Sequence, residues 1–382
     1  MKRLVACVLA RLYQCGFVIA VISGASGAAS AAIVYESADN RLIVSGRLAT
    51  ASIWRHDVPE DDHDPRDYGS RIRGIAEHVF GNGWSGLVLS EWAFDAYQDN
   101  ATSNRFKREQ YAGLSHPRYG TVLAGKQYSV WYDLVASWTD YFSINGLAAQ
   151  GTFGGRRLAG AFEGIGRADR AVSYRNRFGN LNVGVMWQAP RNARREETGV
   201  AGTQTRGVQR DRSLQAAAAW HLAPSLSIAG AIAHSDIDDY DETPGTRVDA
   251  DMTAGLLGLR WTPGNWYLAA IGGTYHNLIR APSFTGYTRD RTLDTAHGTE
   301  SVAAYRLENI APGSVQFYAG VNALFDGHSA ARNVTYIQGI RWVFFDARAI
   351  VAFEHTETDD RDTDGQTPAG DGQTGVLLRY NF

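Results

Sequence analysis

The chain has 382 residues, 44% hydrophobic, 11% aromatic and 20% charged, with 41 Gly and 10 Pro. Its 37 basic residues nearly balance 40 acidic ones, so no basic excess recommends a nucleic-acid partner. A soluble domain rarely grows past ~250–300 residues around one core, so the length alone suggests two domains, a split that the pattern along the chain does not support.

The N-terminus reads as a secretory signal. Lys2, Arg3 and Arg11 precede an apolar run over 12–22, then small residues, and Ala29-Ser30-Ala31 has the A-x-A form of a cleavage site. The run is broken by Gln14 and Gly16 and is too short for a membrane span. The expected organisation is a cleaved signal over 1–31 and a single domain over 32–382. Cys7 and Cys15 leave with the signal, so the exported chain carries no thiol into an oxidising compartment. Leu12-Tyr13-Gln14 lacks the small residues of a lipoprotein site before Cys15. Beyond Lys2, lysine occurs only at Lys107 and Lys126, so the remaining cations are almost all arginine.

After Ala31 no stretch has 18 consecutive apolar residues, and no helical periodicity is sustained. What recurs is a segment of about ten residues with period-two alternation, followed by a turn or a polar loop. Arg71, Arg73 and Glu77 share one face of such a segment, opposite Ile72, Gly74 and Ala76. In the last segment Val376, Leu378, Tyr380 and Phe382 oppose Gly375, Leu377, Arg379 and Asn381. Short connectors fall at 81–83, 116–120, 179–180, 222–225, 262–265, 309–313 and 345–348. Long ones fall at 55–70, 95–105, 132–171, 189–212, 236–248, 277–292, 326–332 and 356–371. Seven short and eight long connectors join sixteen strands and put both ends on the short-turn side. The expected fold is all-β: a transmembrane antiparallel β-barrel of 16 strands with short periplasmic turns and long extracellular loops. A secreted array of β-sandwiches shows the same alternation, but the even strand count, the loop asymmetry and the terminal Phe382 favour the barrel.

The acidic loops are 55–70, 236–249 and 354–371, each with six or seven carboxylates. They read as solvated faces, or as divalent-cation bridges to anionic lipid headgroups. Asp360, Asp362, Asp364 and Asp371 match the calcium-loop spacing, but Pro368 and the lack of flanking helices count against binding. His56 and His63, among Asp57, Glu60 and Asp61, form a weak transition-metal pattern in a Pro-containing setting. Catalysis needs a base within reach of a nucleophile. His78 and His221 lie on strands, and no Ser or Asp spacing singles out a dyad, so neither an enzyme nor a cofactor is expected.

Several stretches resemble the general diffusion porins of Gram-negative outer membranes, a family of trimeric sixteen-stranded barrels. They are Ala32-Ile33-Val34-Tyr35 with Ser45-Gly46-Arg47, the turn Gly81-Asn82-Gly83 with Glu91-Trp92, and Gly125-Lys126-Gln127-Tyr128 with Tyr132-Asp133. Further matches are Thr139-Asp140, Gly166-Arg167, Ser173-Tyr174-Arg175-Asn176 and the final Arg379-Tyr380-Asn381-Phe382. They cover roughly the first half and the extreme end; between 188 and 372 only strand rhythm is visible.

The resemblance implies a passive outer-membrane channel for small hydrophilic solutes and ions. It also implies that the third long loop, 132–171, folds inward to make a constriction. Arg47, Arg71, Arg108 and Arg167 would form a basic ladder facing Asp140. An Arg facing lipid at mid-membrane costs ~2–4 kcal/mol, so Arg73, Arg170 and Arg175 are also expected in the lumen. There they would thicken the ladder or pair with carboxylates such as Glu77 and Glu91. The family usually carries a second loop acid four positions after the first; here that position is Ile144, leaving Glu91, Asp133 or Glu163 to add negative charge. Weak charge selectivity is expected, with anions less excluded than in relatives that keep both acids. Trp138, Tyr141, Phe142 and Phe153 leave open a substrate-specific channel for a sugar or an anion. The resemblance further implies a homotrimer in which Lys126 meets Asp95 or Asp99 of a neighbour. Outer-membrane lipids and lipopolysaccharide would surround it, and insertion machinery would read Phe382 and Tyr380.

Overall fold

The computed structural model describes residues 31–56, 63–97, 106–145, 161–199, 202–241, 246–279, 293–367 and 372–382, with backbone alone over 192–208 and 239–249. Sixteen antiparallel strands make a closed barrel. They are β1 (Asn40–Arg55), β2 (Arg71–Gly81), β3 (Trp84–Ala93), β4 (Phe106–His116), β5 (Gly120–Tyr128), β6 (Arg167–Phe178), β7 (Leu181–Gln188) and β8 (Gly202–Ala223). The second half adds β9 (Leu226–Asp241), β10 (Met252–Trp261), β11 (Trp266–His276), β12 (Thr295–Ile310), β13 (Gly313–Asp326), β14 (Arg332–Phe344), β15 (Ala349–Thr358) and β16 (Gly372–Asn381).

Closure joins the two ends of the chain. β16 pairs with the upper half of β1, from Arg47↔Asn381 to Arg55↔Gln373. Ala32–Glu36 pairs with the lower half of the same edge, from Ala32↔Val44 to Glu36↔Arg41. The two chain ends therefore share one strand position. Phe382 N donates to Gly46 O at 3.0 Å and Gly46 N to Phe382 O at 2.7 Å. A side chain at position 46 would lie 2.5 Å from the Phe382 ring and 2.6 Å from Arg71 O, so the seam requires glycine. Among the described residues the pairings close the sheet on itself, so the spanning backbone groups bond to one another rather than to water.

Alternation decides what each face meets. On β16 Leu377 is fully buried while Leu378 and Tyr380 are exposed. The same outward parity puts Ile232, Leu257, Phe317 and Phe353 on the outside, an apolar band suited to lipid. Two connectors expected as loops are strand instead. Arg191–Gly199 pairs with β8 beyond the end of β7, and Thr246–Asp249 pairs with the upper end of β9. Their polar composition reads as loop, but a hairpin standing in water needs no apolar face to keep its ladder.

Inside, the segment after β5 turns into the lumen. Ser129 caps the short helix α1 (Val130–Leu134) by accepting from Tyr132 N at 2.9 Å. A 3-10 turn, Ala136–Trp138, follows. Val130, Trp131, Val135 and Ala136 are fully buried against an alanine-rich wall that includes Ala217, Ala219, Ala231, Ala233 and Ala254. Small inward side chains there leave the room that the helix fills.

Candidate functional site: the pore constriction

The third long loop is fastened at its root and at its tip, to opposite sides of the barrel. At the root Arg175, on β6, donates to Asp133 Oδ2 at 2.9 Å, to Tyr128 O at 2.6 Å and to Gln127 Oε1 at 2.8 Å. Where the loop returns, the buried Arg210 donates to Phe162 O, to Ala189 O at 2.7 Å and to Asp169 Oδ1 at 3.2 Å. In mid-course Thr139 Oγ1 donates to the buried Glu300 Oε2 at 2.7 Å, and Tyr267 donates to Trp138 O at 2.6 Å.

At the tip, the Glu354 carboxylate on β15 accepts the backbone N–H groups of Ser143 (2.8 Å), Ile144 (3.2 Å) and Asn145 (2.6 Å). Tyr318 donates to the same carboxylate at 2.8 Å. Ile144 packs with Ala51, Ile53, Ala352 and Leu377, while Tyr68 donates to its carbonyl. A Cβ at Gly375 would sit 2.6 Å from Ile144 Cδ1. Ile144 is thus an apolar plug in the far wall. A carboxylate in its place would enter an apolar socket.

The space between is lined by charge. Glu91, 1% exposed, stands at the centre of the basic group. Arg108 Nε donates to it at 2.6 Å and Arg73 Nε at 2.8 Å, while Arg71 Nε lies 3.6 Å away. Arg73 also reaches Glu109 at 3.2 Å. Arg47 Nε donates to Gly69 O at 2.8 Å, and its charged neighbours are Arg379, Arg71 and Arg108. The Arg167 guanidinium lies 5.9 Å from the Tyr128 ring centroid. Asp140 accepts from the Tyr132 hydroxyl and is among the charged neighbours of Arg379, with Arg71 and Arg341. Burial first, and then the Asp140 carboxylate, push the Tyr132 hydroxyl well above the ordinary tyrosine range, so it stays a donor.

Four expected site residues stand elsewhere or in other roles. Arg170 has φ 48° at a bulge, which turns its side chain out to Pro190 O at 2.7 Å, away from the ladder. Arg175 and Asp133 are the root clamp just described, so neither offers a charge to the water path. Glu91 carries negative charge, but arginines enclose it. Trp138, Tyr141 and Phe142 pack on the wall: the Arg260 guanidinium lies 4.7 Å from the Trp138 ring, that of Arg341 4.2 Å from the Tyr141 ring, and Tyr141 stacks on Tyr267 at 4.9 Å. Phe153 falls outside the described residues.

Arg341, Glu300 and Glu354 were missed as site residues because they lie in the stretch with strand rhythm alone, and Arg379 because the terminal match was read only as the closing strand. Parity was the available signal: Arg379 shares its face with the buried Leu377. At the periphery, Lys126 Nζ donates to Lys107 O at 2.6 Å, and Asp95 caps Tyr97 N at 2.9 Å; Asp99 is outside the described residues. Of the calcium-loop pattern, Asp360, Asp362 and Asp364 lie within the described residues. Asp360 Oδ1 accepts from Val334 N and Asn333, and Asp362 Oδ1 from Asp364 N and Gln366 N, so these carboxylates satisfy local donors. Asp371 lies outside the described residues. Burial raises Asp360 above the ordinary carboxylate range. His56 shares Thr374 Oγ1 with His355, at 3.1 and 2.9 Å, and His63 lies by Trp54.

A closed sixteen-stranded barrel with an apolar outer band, and an inward loop facing luminal arginines, defines an outer-membrane diffusion channel. The family model described as Gram-negative porin matches residues 18–336, and the chain belongs to that family. It is 24% identical to outer membrane protein YedS of Escherichia coli, over 94% of this chain and 96% of that one. It is 27% identical to outer membrane porin C of Rahnella aquatilis, over 72% and 79%. Solved structures of like fold include Salmonella typhi OmpF in complex with daunomycin (16% identity, TM-score 0.65, 90% of this chain and 98% of that one). An anion-selective porin from Comamonas acidovorans is also similar (17%, TM-score 0.63, 90% and 100%). The protein is an outer-membrane porin through which small hydrophilic solutes diffuse passively.

Proposed function

We propose that this channel is weakly charge-selective and passes small anions more readily than cations. One observation carries the reading: apart from Asp140, the carboxylates near the constriction are buried and bonded, and while Arg108 and Arg167 are buried too, four other arginines are partly open. Glu91, Glu300 and Glu354 are at most 1% exposed, whereas Arg47, Arg71, Arg341 and Arg379 are half-buried. At the constriction a permeating ion therefore meets chiefly positive charge, opposed mainly by Asp140. One charge at ~4 Å is worth ~1 kcal/mol in bulk water and ~4 kcal/mol at an effective dielectric near 20. A wet pore lies toward the lower figure, so the selectivity is weak, and salt screens it. Reversal potentials in a salt gradient test this: the expected sign is anion-favouring at low salt and near zero at molar salt. A cation-favouring potential at low salt would overturn it.

The same reading extends to assembly. Lys126 and Lys107 stand on the outward side near the second loop, where a partner's acid, Asp95 or Asp99, would meet them in a homotrimer. The signal is removed after Ala31, and Phe382 with Tyr380 forms the terminal pattern read by the insertion machinery. Outer-membrane lipids and lipopolysaccharide surround the apolar band. Mass in mild detergent and the N-terminal sequence of the exported chain check these points: a one-chain mass or a retained leader would refute them.

A further inference from the structure

Outside the lumen, metal-competent side chains converge at one place among the described residues. His234, Asp236 and Asp251 bring ligand atoms within 4.8 Å of one another. His234 and Asp236 lie near the extracellular end of β9, on the outward parity of the exposed Ile232, and Asp251 precedes β10. None of the three faces the pore.

Each donor is oriented from behind. His234 Nδ1 lies 3.1 Å from Thr253 Oγ1, which turns Nε2 toward Asp236 Oδ1 at 2.8 Å. Arg212 Nε donates to the other oxygen, Asp236 Oδ2, at 2.5 Å. Ile237 N donates to Asp251 Oδ1 at 2.9 Å. Metal sites commonly have this second layer, in which an imidazole and its carboxylate neighbours are themselves held by hydrogen bonds. A nearby group shows the contrast. Asp294 takes His276 on one oxygen at 3.4 Å and His328 on the other at 3.1 Å, so its partners approach from different sides.

We propose that His234 Nε2, Asp236 Oδ1 and an Asp251 carboxylate oxygen hold one divalent transition-metal ion per chain at the outer rim of the barrel. One imidazole with two carboxylates suits Zn²⁺ and its neighbours; Ca²⁺ and Mg²⁺ prefer oxygen-only sets. On binding, the proton of the neutral imidazole moves from Nε2 to Nδ1, and Thr253 Oγ1 changes from donor to acceptor. An imidazole protonated on both nitrogens releases one proton to solvent. The groups facing His234 are Asp236, Arg212 and Asp251, with His276 beyond Thr253 in cross-strand register. Two carboxylates against one guanidinium leave net negative charge for the cation. The ion would tie the top of β9 to the entry of β10, above the membrane surface.

Zn²⁺ titration of the folded protein in detergent, by calorimetry, tests the site, with Co²⁺ absorption as a second readout. The expected result is one Zn²⁺ per chain, weaker in mildly acidic buffer because the ligand nitrogen must be unprotonated. His234→Ala and Asp251→Asn should each weaken binding at least ~10-fold, while His297→Ala, another outward histidine, leaves it unchanged. Retention of the folded, heat-modifiable band and of wild-type conductance shows that the variants have folded. Wild-type affinity in His234→Ala, loss of binding in His297→Ala, or no binding at millimolar Zn²⁺ would each overturn the proposal.

Discussion

The two sides of the lumen share one alternation rule and use it oppositely. On β8 to β10 the inward positions are alanines such as Ala217, Ala231 and Ala254, all buried beneath α1. On β1, β2, β4 and β16 they are Arg71, Arg73 and Arg108, gathered about Glu91, with Arg47 beside Arg71, Arg108 and Arg379, and Arg379 near Asp140. An inward side chain in a wide barrel therefore becomes core where the loop covers it and pore lining where it does not. The loop joins the two regimes, packing its helix on the alanine wall and locking Ile144 and Glu354 together at the other end.

Breaking the root clamp should have the largest effect. Arg175→Ala leaves the half-buried Asp133 without its cation, a change that costs ~3–5 kcal/mol for a fully buried pair and less here. The unfolding midpoint of the barrel should fall, and Arg175→Ala with Asp133→Ala should recover part of the loss. An unchanged midpoint in the single variant would show that the pair does not hold α1. Next comes the tip. Ile144→Ala removes a buried apolar anchor worth about 2 kcal/mol or more, and single-channel records should show larger, noisier openings. Quiet records at wild-type conductance would deny the plug its role.

The charged side sharpens the comparison through smaller effects. Arg71→Ala with Arg379→Ala should move reversal potential toward cations by ~1 kcal/mol or less per charge, and Asp140→Asn should move it toward anions. Both shifts should shrink at molar salt, where the Debye length is ~3 Å. Equal responses to either substitution at low salt would mean that these side chains do not line the narrowest ring. The smallest effect is with pH. The Tyr132 hydroxyl is raised above its ordinary value of ~10, so its stabilising contribution is complete below that pH and fades only as pH climbs beyond it. Conductance noise should stay flat from neutral to about pH 10; Tyr132→Phe should raise it at all pH values.

Much of this was legible in the chain itself. Period-two alternation, connector lengths and the terminal aromatic give strand number, sidedness and closure, because lipid outside and water inside impose a strict parity on every strand. Parity likewise shows that mid-strand arginines belong in the lumen. Contact across the barrel decided the rest. Arg175 and Arg71 obey the same parity, yet one clamps a helix and the other lines water, because the path of the loop determines which positions are covered. Ile144 looks like a lost acid until Gly375, Leu377 and Ala51 are seen to form its socket. Glu354 becomes a clasp only because residues some 210 positions earlier lie against it. Parity is a local property of a strand, set by its two solvents, whereas the choice between core and pore depends on which distant segment fills the space.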